Sequence, residues 1–138
     1  MTTSDRSTQL AERAALFARL GGHETFELLA RRFYEGVATD EVLAPMYEGD
    51  VEGGERRLRM FLEQYWGGPT TYSEERGHPR LRMRHAPFRV TPDARDRWLT
   101  HMRAALDDAG LDPESEQAMW DYFVRAADAM INTLEPRP

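Results

Sequence analysis

At 138 residues, with 41% hydrophobic and 30% charged side chains, the chain has the length and composition of one globular domain. A formal net charge of −6 argues against a nucleic-acid partner, and the absence of cysteine excludes disulfides, thiolate nucleophiles and thiolate-held metal centres. All 18 basic residues are arginine, so any anion must be held by guanidinium forks, histidine, hydroxyls or backbone groups.

Residues 1 to 8 are Ser/Thr-rich, and the first ten read as a flexible extension of one domain over 11–138. This opening lacks the apolar core of a signal peptide, and no run in the chain approaches a membrane span. The expectation is a cytoplasmic protein. From Gln9 the pattern turns helical, and Leu10, Ala14, Phe17 and Leu20 can share a face before Gly21-Gly22 ends the helix. A second helix is predicted from about Glu24 to Ala38, with Phe26, Ala30, Phe33 and Val37 at helical spacing and Tyr34 on the edge of that face. Thr39-Asp40 caps a short helix through Val42 and Leu43, which Pro45 should end, leaving Met46-Tyr47 in a turn.

Glu48-Gly49-Asp50 reads as a link. Gly53 or Gly54 then begins an amphipathic helix to about Trp66, with Gly54, Leu58, Phe61, Leu62 and Tyr65 on one side and Glu55, Arg56, Arg59 and Glu63 facing away. Gly67-Gly68-Pro69 stops it. Residues 69–80 read as irregular, a loop long enough to suggest function. A short helix from Pro79 carries His85 and ends at Pro87. Thr91-Pro92-Asp93 and Asp112-Pro113-Glu114 each start a helix, with a capping side chain followed by proline in the first turn. Trp98, Leu99, Met102, Ala105 and Leu106 form the stripe of one; Met119, Phe123, Ala127, Met130 and Leu134 form that of the other. No strand is evident, so the fold class is all-α.

The histidines, His23, His78, His85 and His101, lack the paired spacing of a zinc site, and no Glu-x-x-His motif of a di-iron bundle appears. A hydrolase triad has no nucleophile motif to support it. Metal chemistry would therefore need a cofactor that brings most of its own ligands, and haem asks the protein for only one. His85 suits that role: it ends a short helix, Leu81, Met83, Phe88 and Val90 offer an apolar wall, and Arg82 and Arg84 could meet two propionates. The competing reading is a histidine whose charge favours a helix C-terminus. Phe33 and Phe61 read as core. Tyr34, Tyr47 and Trp98 carry polar groups that need partners when buried and would suit a polar ligand in one cavity.

Phe33-Tyr34, the turn from Val42 to Tyr47, the run from Glu55 through Gln64-Tyr-Trp-Gly-Gly-Pro69, Tyr72-Ser73, the run from Gly77 through Leu81 to Phe88, and Trp98-Leu99 together resemble a group II truncated haemoglobin. The resemblance spans about residues 16–134. It implies a two-over-two helical sandwich, an abbreviated globin, holding haem b (iron protoporphyrin IX). His85 would be the proximal iron ligand and Arg84 a propionate partner, with Arg57 and Tyr72 as further propionate candidates. Tyr34, Tyr47 and Trp98 would form the distal site, with Leu58 and Phe61 as apolar neighbours of the cofactor. The distal-histidine position of globins falls at Gly54, whose small size would open a short route to the haem. Ligands implied are dioxygen, nitric oxide, carbon monoxide or peroxide; redox turnover would require a reductase, and the resemblance permits a homodimer. Three distal donors would slow oxygen release, which suits nitric oxide dioxygenation or peroxide reduction better than transport. A ligand sensor or store without turnover is the alternative, ranked lower because no second domain is evident to receive a signal. A haem-free helical interaction module is the alternative outside this cofactor class.

Overall fold

The computed structural model describes residues 2–47 and 51–134. Within them the chain forms α1 (Thr2–Arg19), α2 (Gly22–Ala38), a 3-10 helix (Ala44–Tyr47), α3 (Val51–Tyr65), α4 (Thr71–Arg76), α5 (Leu81–His85), α6 (Pro92–Ala109) and α7 (Pro113–Met130). No described residue lies in a strand. The Glu48–Asp50 link lies outside the described residues.

Two helix pairs build the body. α2 packs against α3 within one pair and against α6 of the other, and α6 packs against α7. The result is the expected two-over-two arrangement. Phe26, Leu29, Phe33 and Val37 of α2 meet Met102, Ala105 and Leu106 of α6 and Met119 and Phe123 of α7, all buried in one core. Burying a side chain of this size contributes roughly 1.5–3 kcal/mol, so this seam dominates the stability of the fold. Thr91 and Asp112 cap α6 and α7 as expected: their side chains accept from the backbone N–H of Ala94 and Ser115, and proline follows each.

Several elements depart from the sequence reading. α1 begins at Thr2 rather than Gln9, and α3 at Val51 rather than Gly53 or Gly54. Leu10, assigned to the inner face of α1, is exposed; only the end of that helix reaches the core, through buried Leu20 and the stacking of Phe17 on Phe26 at 5.6 Å. Leu134, assigned to the α7 stripe, lies beyond the helix and is exposed. Residues 41–43 form a turn instead of a helix. The Asp40 carboxylate accepts from the backbone N–H groups of Val42 and Leu43, at 2.9 and 3.1 Å. Pro45 then sits inside the 3-10 helix, where its lack of an N–H costs little near a helix start.

Glu63 was expected to face water. It is buried instead, with its carboxylate 2.7 Å from His23 Nδ1 and 3.2 Å from Arg59 Nη1. The stretch read as irregular contains α4, whose order comes from distant contacts. Gln64 donates to Ser73 Oγ and accepts from Ser73 N–H, while Arg56 forms two parallel hydrogen bonds with Glu75. Gly67 closes α3 in the left-handed region, φ 96°, and a Cβ there would lie 2.1 Å from the Arg13 carbonyl oxygen. Only glycine meets both demands.

Candidate functional site

A cavity of about 480 Å³ opens among α2, the 3-10 helix, α3 and the α5–α7 half of the molecule. The nine residues to which the family resemblance gives roles at the cofactor or its ligand line it: Tyr34, Tyr47, Leu58, Phe61, Tyr72, Arg57, Arg84, His85 and Trp98. A pocket of this size suits a small-molecule or cofactor ligand.

On one side, α2 presents Tyr34, the 3-10 helix presents Tyr47 and α6 presents Trp98. Helical spacing puts Phe33 in the core and Tyr34 beside it, and edge-on ring contacts lock the group. Tyr34 meets Phe33 and Tyr47, each with centroids 5.2 Å apart, and Trp98 meets Phe33 at 5.2 Å and Phe123 at 5.9 Å. Burial pushes the Tyr47 phenol up to about 12, against the pull of a side-chain hydrogen bond with Trp98. An indole N–H can only donate, so toward the Tyr47 oxygen Trp98 can act only as a donor, which leaves the Tyr47 O–H able to donate in turn. Paired in this way, Trp98 would polarise the Tyr47 O–H and strengthen it as a donor.

Asp40 secures this side from behind. It is buried and receives His101 Nε2 at 2.7 Å and Arg97 Nη1 at 3.3 Å, besides the two turn N–H groups. Burial pushes its carboxyl up, but His101, the Leu43 and Val42 N–H groups and the Arg97 charge outweigh that and hold it at about 2. Asp40 thereby ties the turn leading to Tyr47 to the helix carrying Trp98.

Gly54 was expected to leave a short route into the cavity. Tyr34 covers it: a Cβ at Gly54 would lie 2.8 Å from the Tyr34 oxygen. The missing side chain is the seat of a phenol rather than a channel.

On the other side, His85 stands at the end of α5, a helix of five residues that starts from Arg80 in the left-handed region, φ 45° and ψ 49°. His85 Nδ1 lies 2.7 Å from the Leu81 carbonyl oxygen, to which it must donate, leaving the Nε2 lone pair as the ring's electron donor. Leu81, Phe88 and Val90 line the cavity beside it as expected, whereas Met83 is exposed and lies outside the lining. Arg84 lines it; Arg82 does not. Arg84 donates through Nε to the Pro79 carbonyl at 2.8 Å and through Nη2 to the Arg76 carbonyl at 3.2 Å, and its guanidinium lies 5.8 Å from the Tyr72 ring centre.

Asn132 has a role that sequence reasoning missed. Its Nδ2 donates to the carbonyls of His85 and Phe88, at 3.2 and 3.0 Å, and its Oδ1 accepts from Val90 N–H at 2.9 Å. It pins both ends of the segment after His85 to the end of α7. A lone asparagine after a helix stripe carries no sequence signal for partners more than forty residues away.

Among the described residues, no group of three or more His, Cys, Asp or Glu is arranged to hold a metal ion. His85 can thus supply one ligand only to a metal whose remaining ligands arrive with it. The cavity offers one imidazole lone pair, several apolar walls, arginines 57, 76, 84 and 95 among its lining, and hydroxyl donors elsewhere.

Comparison with known proteins shows which family the chain resembles. The family model for bacterial-like globins matches residues 15–132. The Group 2 truncated hemoglobin YjbI of Bacillus subtilis is 40% identical over 114 residues, covering 83% of this chain and 86% of that protein. A thermostable hemoglobin from Thermobifida fusca is 64% identical and superposes with a TM-score of 0.83, covering 85% of this chain and 96% of the other. The group II truncated hemoglobin of Bacillus anthracis is 37% identical with a TM-score of 0.83, over 87% and 92% of the two chains.

Proposed function

The chain belongs to the group II truncated haemoglobins, and from that premise we propose that it holds haem b through His85 and binds dioxygen beneath Tyr47, Trp98 and Tyr34 for redox chemistry. Family membership implies a haem and the binding of small diatomic ligands. The observation that carries the finer reading is one cavity lined both by an imidazole oriented through Nδ1 and by the Tyr47 phenol and Trp98 indole.

The residues fit the cofactor. A porphyrin brings four of the metal's ligands, matching a site with one imidazole and no metal-binding cluster. Leu58, Phe61, Leu81 and Phe88 give it apolar faces, and Arg84, with Arg57 and Tyr72, supplies donors for its propionates. Haem, when bound, supplies a ferrous iron that passes electron density to dioxygen.

The chain's contribution is to hold that density in place. Tyr47 would donate its O–H to a ligand in the cavity while Trp98 polarises it, and Tyr34 would assist from beside Gly54. A hydrogen bond to a charged group contributes roughly 1.5–3 kcal/mol, so losing one speeds release about 10–150-fold. Slow release favours turnover of the bound ligand, by nitric oxide dioxygenation or peroxide reduction, with electrons from a reductase. Oxygen off-rates of Tyr47→Phe and Trp98→Phe test the reading; rates within a factor of about two of the parent would sink it. Nitrate formation and peroxide-dependent oxidation of a reductant separate the two turnover reactions from storage without turnover.

A further inference from the structure

The charges of this chain are segregated along it. From Arg76 to Pro92 it carries five arginines and no carboxylate, although the net charge of the whole is −6. From Asp107 to Asp121 it carries six carboxylates and no arginine. α6 leads from the first stretch to the second, and its 18 residues span about 27 Å. The fold thus separates a basic pole at α5 from an acidic pole at the α6–α7 turn.

The basic pole is also uncompensated. Elsewhere carboxylates neutralise the arginines: Glu75 meets Arg56, Asp128 meets Arg95, Asp93 meets Arg97 and Glu116 meets Arg103. Arg80, Arg82 and Arg89 are exposed, and none has a carboxylate partner among the described residues. Met83 and Phe88, interleaved with them in sequence, are 66% and 39% exposed. Exposed apolar side chains amid polar ones have the make-up of an interaction patch. Phe88 also lines the cavity, so the patch and the cavity share a wall.

We propose that the α5 face, with Met83 and Phe88 as its apolar centre and Arg80, Arg82 and Arg89 as its charged rim, docks an acidic electron-carrier protein that reduces the cofactor. This rests on the haem and reductase reading above. Unpaired guanidinium forks match surface carboxylates in geometry and charge. A carrier with an acidic face is drawn to the basic pole and turned away from the acidic one, so it arrives at the cavity's own end of the molecule. Seated there, it stands one side chain, Phe88, from the cavity. The transfer balances simply: the carrier is oxidised by one electron, ferric iron is reduced to ferrous, and no bond is made or broken. An anionic bilayer would meet the same arginines, but Met83 and Phe88 give this segment little apolar area to insert.

The probe is an acidic flavodoxin. In stopped flow, its hydroquinone should reduce the haem-loaded ferric variant Arg80→Gln/Arg82→Gln/Arg89→Gln about tenfold more slowly than the parent at low salt. The two rates should converge near about 0.5 M salt. The control Arg6→Gln/Arg19→Gln/Arg125→Gln removes the same charge from exposed sites elsewhere and should stay within about threefold of the parent. Both variants should keep the parent's Soret band and oxygen off-rate. Binding is read apart from turnover: oxidised flavodoxin added to isotope-labelled haem-loaded protein should shift the Nε–H resonances of Arg80, Arg82 and Arg89 and leave those of Arg6 and Arg125. Equal rates in parent and patch variant, equal slowing in both variants, or shifts centred on another face overturn the docking site and leave haem binding intact. Arginine-dependent sedimentation with phosphatidylglycerol vesicles, with flavodoxin reduction unchanged, overturns it in favour of a membrane surface. A chain without a Soret band overturns the haem reading and the docking together.

Discussion

On the distal side of the cavity, Tyr34 and Trp98 stand on α2 and α6, two long helices whose inner faces form the core, and their rings interlock with Phe33, Tyr47 and Phe123. On the proximal side, His85 stands on a five-residue helix with no buried residue, held by hydrogen bonds from Arg84 and Asn132. The distal side is positioned by packing, which is dense and resists displacement. The proximal side is positioned by a few directed bonds on a segment that can open locally without disturbing the core. With His85 as the proposed ligand, a rigid donor set facing a pliable ligand arm would let the pocket admit a large planar cofactor and still present its donors at fixed positions.

The largest test of this contrast is His85→Ala. It should abolish stable five-coordinate ferrous haem, seen as loss of that absorption spectrum, while far-ultraviolet circular dichroism stays helical because α5 adds little to the core. A normal ferrous spectrum would remove His85 as the ligand. Next comes the distal chain. If Trp98 acts through Tyr47, the double variant Tyr47→Phe/Trp98→Phe should release oxygen little faster than the faster single variant, within the roughly 10–150-fold span of one charged hydrogen bond. Independent donors would multiply.

Acid offers a third handle on the distal side. The folded Asp40 carboxyl, held at about 2, takes up a proton less readily than the same group in an unfolded chain at its ordinary 3.8. Its contribution is therefore complete above about pH 4 and fades as pH falls from there towards about 2, removing on the order of 2 kcal/mol. Denaturant melts across that window should show the fall in the parent and a flatter profile in Asp40→Asn. The smallest effect belongs to the proximal latch. Asn132→Ala should cost about 1–2 kcal/mol of stability and speed haem transfer to an acceptor apoprotein, leaving the oxygen off-rate close to the parent's. A changed off-rate would mean that the two sides are not mechanically separate.

The long helices were legible because their signals are local. Thr91-Pro92 and Asp112-Pro113 mark α6 and α7, and the 3.6-residue stripes of α2, α6 and α7 face inward as read, Leu134 excepted. His85 was one candidate among four by spacing, and only the resemblance singled it out. What stayed hidden depends on partners distant in sequence. Glu63 sits on the polar side of α3 by pattern, yet His23 and Arg59 draw it inside. Asp40 was legible as a cap, but not as the acceptor for His101, 61 residues away. α4 owes its form to Gln64 and Arg56, so its own twelve-residue context read as loop. Gly54 looked like an opening because a sequence does not reveal which side chain occupies the space a glycine leaves.

The Asn132 latch also has a place in time. Its donors reach back 47 residues to His85. A ribosome adding 5–20 residues per second needs about 2–9 s to travel that distance, so the helix bearing the proposed iron ligand emerges well before its fastener. Nascent chains stalled before residue 132 should therefore exchange haem faster than released chains, even with α2 to α6 already made. Cofactor capture would then be a late step of biosynthesis, secured only once the end of α7 has turned back upon α5.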